Sequence, residues 1–249
     1  GRLQTGVRLT FASAVDAKKE PGLCFDVQLV TLHNVLEACR NGSKPEVMFL
    51  SSSTVYGDFE ALEVDETVQP RPKGIYAVAK YMGEQLVRAY SDQYGVPSVI
   101  VRPSALYGER CVSRRVTQKF IELALTGQPL PLEGGGSGRL DFTHIDDLID
   151  GMVLAMKLPK VAGYTNTFNL TFGNAREVRD LAAVIMASGA FSGAVRVEER
   201  PRAADKPIRG TLSTKRAREM LGFEARIPLE AGYHNLCHWY ADKWVGAAR

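Results

Sequence analysis

The sequence predicts an α/β fold in which a parallel sheet is joined to a smaller α+β unit, and three observations lead there. Two short apolar runs, Val47-Met48-Phe49-Leu50 and Ser98-Val99-Ile100-Val101, have the length and continuity of strands buried on both faces. Each follows a segment of helical periodicity, which is the rhythm of βαβ units. Beyond about residue 109 that rhythm gives way to helices, a glycine-rich turn and scattered short strands.

Taken in order, Leu29, Leu32, Leu36 and Cys39 recur at helical spacing and Asn41-Gly42 closes the segment, so 27–40 is predicted as an amphipathic helix. The strand at 47–50 stops at Ser51-Ser52-Ser53, which places three hydroxyls at the sheet edge where open α/β folds bind ligands. A helix over 75–94 starts after Pro72-Lys73-Gly74, and the strand at 98–101 is closed by Pro103. Further helices are predicted at 116–126, 146–157, 176–187, 213–221 and 229–244, with strands near 140–142 and 167–171.

Composition narrows the function classes. The 249 residues carry 31 basic and 28 acidic side chains, a formal charge of +3 without a strong cluster beyond Arg114-Arg115, so no nucleic-acid partner is expected. Four cysteines, Cys24, Cys39, Cys111 and Cys237, form no C-x-x-C pair, and neither a metal site nor a disulfide framework is expected. No run approaches the ~18 apolar residues of a membrane span, and the expected setting is cytoplasmic. His234, Cys237 and His238 imitate metal ligands but read better as helix packing residues; His144 before Asp146-Asp147 reads as a helix start. Gly134 to Gly138 reads as a turn, since no Gly-Lys-Ser/Thr follows it.

Tyr76-Ala77-Val78-Ala79-Lys80 places a tyrosine and a lysine one turn apart on one helix face. A phenol of pKa ~10 is a poor base, and an ammonium nearby is expected to favour its phenolate and lower that pKa. Around it stand Ser51-Ser52-Ser53-Thr54-Val55-Tyr56-Gly57 on one strand end and Arg102-Pro103-Ser104-Ala105-Leu106-Tyr107-Gly108 on the next.

With Arg139-Leu140-Asp141-Phe142-Thr143-His144-Ile145-Asp146-Asp147 and Leu221-Gly222-Phe223 in the same order, these segments resemble the extended short-chain dehydrogenase/reductase family, which includes nucleotide-sugar epimerases and dehydratases. The resemblance implies a Rossmann-like sheet and NAD as cofactor, with NADP left open. It implies Tyr76 as acid/base, Lys80 on the nicotinamide ribose, and Ser52 on the reacting oxygen, so that Ser52, Tyr76 and Lys80 are the catalytic set. Ser51 and Pro103 join Tyr76 and Lys80 around the cofactor. Ser52, Ser53, Thr54, Arg139 and Arg202 face the substrate, a nucleotide sugar, with the arginines on its diphosphate; Arg202-Ala203-Ala204-Asp205 resembles an R-x-G-D segment. Residues 1–108 are expected to form a partial NAD-binding domain and 109–249 mainly a substrate domain, with part of 139–157 returning to the first. A homodimer through the helices near 27–40 and 75–94 is also implied.

The departures from the family pattern carry their own expectations. The family's glycine-rich turn has no counterpart here and Val7 to Ser13 resembles its fourth strand, with Thr10 at a usual histidine position, so a partial sequence is expected. Ser53 and Thr54 stand where dehydratases carry acidic residues, which disfavours dehydration. Ala105 and Gln28 replace asparagines usual in the family. The expected activity is NAD-dependent epimerisation of a nucleotide sugar; a reductase or dehydrogenase of the family and a non-catalytic remnant that binds a nucleotide sugar or a partner are the rivals.

Overall fold

The computed structural model describes residues 7–9, 17, 19–111, 115–161, 163–203 and 207–243. Its centre is a sheet of four parallel strands, β1 (Val7–Leu9), β2 (Val47–Leu50), β4 (Ser98–Arg102) and β9 (Asn166–Asn169), hydrogen-bonded in the order β1-β2-β4-β9. Residues 10–13, including Thr10, lie outside the described residues. Eight short strands pair two by two around this sheet: β3 (Glu63–Val64) with β12 (Thr211–Leu212), β5 (Ala105–Tyr107) with β8 (Phe142–His144), β6 (Leu130–Glu133) with β11 (Val197–Arg200), and β7 (Arg139–Leu140) with β10 (Arg176–Glu177).

Two helical segments cover one face. The predicted helix at 27–40 begins earlier, with α1 (Pro21–Phe25), and passes through a π-helical turn at Asp26–Val30 into α2 (Thr31–Asn41). Pro21, whose fixed φ suits a first turn, explains the early start. Leu32, Leu36 and Cys39 are buried as the spacing predicts, whereas Leu29, within the π turn, is only half-buried. Helix α3 (Ile75–Tyr94) lies beside them, and Gly83 makes its close approach possible: a Cβ there would sit 2.5 Å from the Phe49 ring.

On the other face, α5 (Ile145–Lys157) and α7 (Lys215–Leu221) pack over β2, β4 and β9 through Leu148, Ala155, Phe168, Ala217 and Phe223. The span 145–157 therefore lies on the sheet, and 166–169 and 215–223 lie there too. A separate core gathers α4 (Val116–Leu125), α6 (Val178–Ser188) and α8 (Leu229–Lys243) around Tyr107, Phe120 and Tyr233. The strand predicted near 140–142 is broken at Asp141, because its carboxylate turns inward to accept the Gly173 and Leu212 N–H groups. The helix predicted at 176–187 starts at Val178, since Glu177 and Asp180 form a capping box there. Among the described residues no helix is long and apolar enough to cross a membrane.

One buried ion pair ties the sheet to α3. Arg102 at the end of β4 donates from Nε and Nη2 to the two carboxylate oxygens of Glu84 at 2.8 and 2.6 Å. Both side chains are almost wholly enclosed, at 3% and 0% exposure. Ser51 at the end of β2 donates its hydroxyl to the same carboxylate at 2.5 Å, so three elements meet on Glu84. Arg102→Met leaves that carboxylate buried without its cation, and urea unfolding is expected to show a loss of about 3–5 kcal/mol. Arg102→Met/Glu84→Met restores most of it; equal losses in both variants contradict this reading of the pair.

Candidate active site

Ser52, Tyr76 and Lys80 come together where β2 ends and α3 begins. Ser52 has extended backbone and caps a 3₁₀ turn over Ser53–Tyr56, its Oγ accepting the Thr54 N–H at 3.2 Å. The turn closes at Gly57 with φ of +74°, where a Cβ would collide with the Arg71 carbonyl. Tyr76 sits in the first turn of α3, with Ser52 and Arg115 near enough to favour its phenolate. Lys80 lies one turn on, 2% exposed, with Nζ 5.8 Å from the Tyr76 ring centre.

The electrostatics correct one expectation. The Tyr76 pKa is raised above its ordinary value, because burial of the phenol outweighs the lowering by Arg115 and Ser52. Burial acts on Lys80 as well and brings its pKa down to about 8. Its Nζ donates to the Leu50 carbonyl at 2.8 Å. The ammonium is thus held at the strand end and is costly to keep charged.

The remaining sequence-predicted residues divide in two. Ser51 and Pro103 form the strand ends, but the Ser51 hydroxyl is taken by Glu84 and the Pro103 carbonyl accepts the Ser53 N–H at 2.8 Å. Thr54, Arg139 and Arg202 line a cavity of about 460 Å³ that runs from the 3₁₀ turn to α4 and β6. The Thr54 Oγ1 is enclosed and has no hydrogen-bond partner among the described residues. Arg139 donates to the Ala175 carbonyl at 2.6 Å, and Arg202 to that of Pro207 at 3.3 Å. Asp205 of the R-x-G-D-like segment lies outside the described residues. Ser53 does not line this cavity; its carbonyl accepts Arg209 Nη1 at 3.0 Å.

Two cations of this cavity escaped the sequence reading. Lys119 projects from α4, and Arg209 from the loop before β12. Arg209 is largely enclosed against the Phe59 ring, and burial brings its pKa down to about 10, partly offset by Asp58. Nothing local marks it, since its place depends on a loop that returns from residue 207 to the 3₁₀ turn. Lys119, Arg139, Arg202 and Arg209 thus share the cavity with one carboxylate, Glu133. Two other sequence features have structural uses: His144 Nδ1 accepts the Asp146 N–H at the start of α5, and Asp147 accepts the Arg226 and Ile227 N–H groups. Among the described residues, no cluster of three or more metal-ligating side chains is present.

A parallel sheet with a serine, a tyrosine and a lysine at its carboxyl edge, beside a cationic cavity, has the architecture of a Rossmann-like fold. Residues 7–171 match the model of the NAD dependent epimerase/dehydratase family, and the chain belongs to that family. It is 28% identical over 215 residues to an uncharacterized UDP-glucose epimerase of Bacillus subtilis, covering 86% of this chain and 66% of that protein. It is 28% identical over 228 residues to a UDP-glucose 4-epimerase of Mycolicibacterium smegmatis, covering 90% and 71%. The Thermus thermophilus UDP-glucose 4-epimerase, solved in complex with NAD, superposes with a TM-score of 0.85 at 25% identity, over 97% of this chain and 78% of that one. The chain thus spans about two thirds of the first of these relatives and more of the others.

The depressed Lys80 pKa has a testable sign. A lysine whose folded pKa lies below its ordinary 10.5 favours the fold fully above that value and loses the contribution as pH falls through about 8. The stability of the protein minus that of Lys80→Met is expected to rise between pH 8 and pH 10.5 in urea titrations. A flat difference across that window contradicts a buried, depressed Lys80.

Proposed function

We propose that this chain serves NAD-dependent epimerisation of a nucleotide sugar. One observation carries the reading: Ser52 lies near enough to Tyr76 to favour its phenolate, two residues from Thr54, where the cationic cavity opens. A sugar hydroxyl against the pair, with its diphosphate among the cavity arginines, satisfies both halves of the site. Arginine suits the second task because its planar fork meets phosphate oxygens two at a time. The relatives named as UDP-glucose epimerases support the same substrate class.

The residues present fit the nicotinamide ribose of NAD. Lys80 Nζ makes one hydrogen bond, to Leu50, and an ammonium has three N–H donors, which leaves two for ribose hydroxyls. Ser51 and Pro103 form the floor beside it. NAD, when bound, supplies a hydride acceptor and donor. The protein's part is to handle the proton: Tyr76 accepts it from the sugar hydroxyl and later returns it to the same oxygen. Ser52 donates to that oxygen as negative charge develops on it. Ser53 and Thr54, where dehydration requires acidic side chains, leave no acid for loss of water.

A homodimer through α1, α2 and α3 belongs to the same proposal. Leu23, Phe25, Val30, Met82 and Tyr94 on these helices are exposed apolar side chains, more than a monomer's surface needs in one region.

With UDP-glucose as probe, Tyr76→Phe is expected to lower epimerisation by at least about 10²-fold while leaving the dissociation constant within a factor of two or so. Arg209→Met and Arg139→Met are each expected to weaken binding by about tenfold, roughly the worth of one charge-assisted hydrogen bond. Turnover retained in Tyr76→Phe removes the acid/base assignment. Binding unchanged in both arginine variants removes the diphosphate assignment.

A further inference from the structure

The 3₁₀ turn that follows Ser52 is held loosely by its own bonds and closely by a distant segment. Within it the Val55 and Gly57 N–H groups reach the Ser52 and Thr54 carbonyls at 3.2 Å, the long end of the hydrogen-bond range. Residues 207–213 form a strap along the chain that leaves the turn. Ile208 donates its N–H to Asp58 Oδ1 at 2.9 Å and accepts the Phe59 N–H at 3.0 Å. The Thr211 and Ser213 N–H groups then meet the Leu62 and Val64 carbonyls at 2.9 and 2.8 Å, where β12 pairs with β3. Gly210 lets the two segments close, since a Cβ there would sit 2.5 Å from the Leu62 carbonyl oxygen. From the middle of the strap Arg209 reaches the turn itself: its Nη1 donates to the Ser53 carbonyl at 3.0 Å, and its guanidinium lies 5.6 Å from the Phe59 ring centre.

The same side chain lines the 460 Å³ cavity together with Thr54, the next residue of the turn. A guanidinium has five N–H donors, and the Ser53 carbonyl occupies one of them. Asp58, the carboxylate that partly offsets the burial of Arg209, is already engaged by Lys73 and by the Ile208 N–H. An anion in the cavity therefore supplies countercharge to a cation that is attached to the turn. We propose that Arg209 is a positioning residue, which couples a diphosphate in the cavity to the 3₁₀ turn and so fixes Ser52 when substrate is bound. The proposal rests on the reading of the cavity as the diphosphate site and goes beyond it. Arg139, by contrast, is anchored on the Ala175 carbonyl and can hold the same anion without a bond to the turn. A ligand that favours the closed turn through Arg209 lowers the population of its open form, which is ordinary binding linkage applied to a local element.

Amide hydrogen exchange at Val55 and Gly57, followed by NMR with and without UDP, tests the coupling without turnover. UDP carries the diphosphate, and calorimetry sets a saturating concentration for each protein. Saturation is expected to slow both amides by about tenfold in the unaltered protein and by less than about twofold in Arg209→Met, the difference being roughly one hydrogen bond to a charged group. Arg139→Met, once saturated, is expected to keep the full slowing. The ratio with and without UDP is the readout, because an Arg209 that served packing alone changes both rates alike and leaves their ratio as it was. Full slowing in Arg209→Met overturns the proposal. So does unchanged exchange in the unaltered protein with UDP bound, a result that leaves the diphosphate site standing; UDP that does not bind at all removes the site and the coupling together. Should Arg209→Met fail to fold, Arg209→Gln, which can still donate to Ser53 but carries no charge, takes its place with the same expected loss.

Discussion

The bidentate bond between Glu84 and Arg102 is the constraint on which the site depends. Enclosing two charges costs several kcal/mol per ion, and only good geometry with further hydrogen bonds offsets that cost. Here the geometry is two short N–H to oxygen bonds, supplemented by the Ser51 hydroxyl. Burial opposes the charge on Arg102, yet the Glu84 bond raises its pKa above the ordinary value. Glu84 stands two turns along α3 from Tyr76 and one from Lys80, while Ser51 and Arg102 end adjacent strands. The pair therefore fixes how far the helix bearing the phenol sits from the strand bearing Ser52.

From that clamp the site extends in two directions with different electrostatics. Around Tyr76 the surroundings are enclosed, and burial shifts the proton affinities: the phenol upward and Lys80 downward, to about 8. Toward Arg139 and Arg202 the cavity is open and positive, with one carboxylate among four cations. Proton handling favours the first environment, since a low dielectric strengthens each interaction at the reacting oxygen. Diphosphate binding favours the second, where Lys119, Arg139, Arg202 and Arg209 converge. Beside Arg139, Asp141 ties two later segments together, its carboxylate bound by backbone N–H groups from residues 173 and 212 while burial raises its pKa to about 6.

Local regularity made much of this legible in the sequence. The helix at 75–94, the strands at 47–50 and 98–101 and the pairing of Tyr76 with Lys80 rest on periodicity and on one-turn spacing, which neighbouring residues determine, whereas Ser52 rests on the family resemblance. The π turn at Asp26–Val30 and the break at Asp141 were not legible, because each arises from packing or hydrogen bonds to distant segments. Ser51 reads as a ligand residue by position, yet its hydroxyl serves Glu84, 33 residues away. Arg209 carries no local signature, and long-range chain return brings it to the site. The raised Tyr76 pKa was not legible either, because spacing gives proximity and says nothing of desolvation.

The most direct measurement is a crystal structure of the protein with UDP-glucose bound. A sugar hydroxyl within hydrogen-bond reach of Ser52 Oγ and the Tyr76 hydroxyl, with the diphosphate between Arg139, Arg202 and Arg209, is the expected result. A diphosphate bound away from these arginines, or a sugar whose hydroxyls are out of reach of Tyr76, contradicts the assignment of the site.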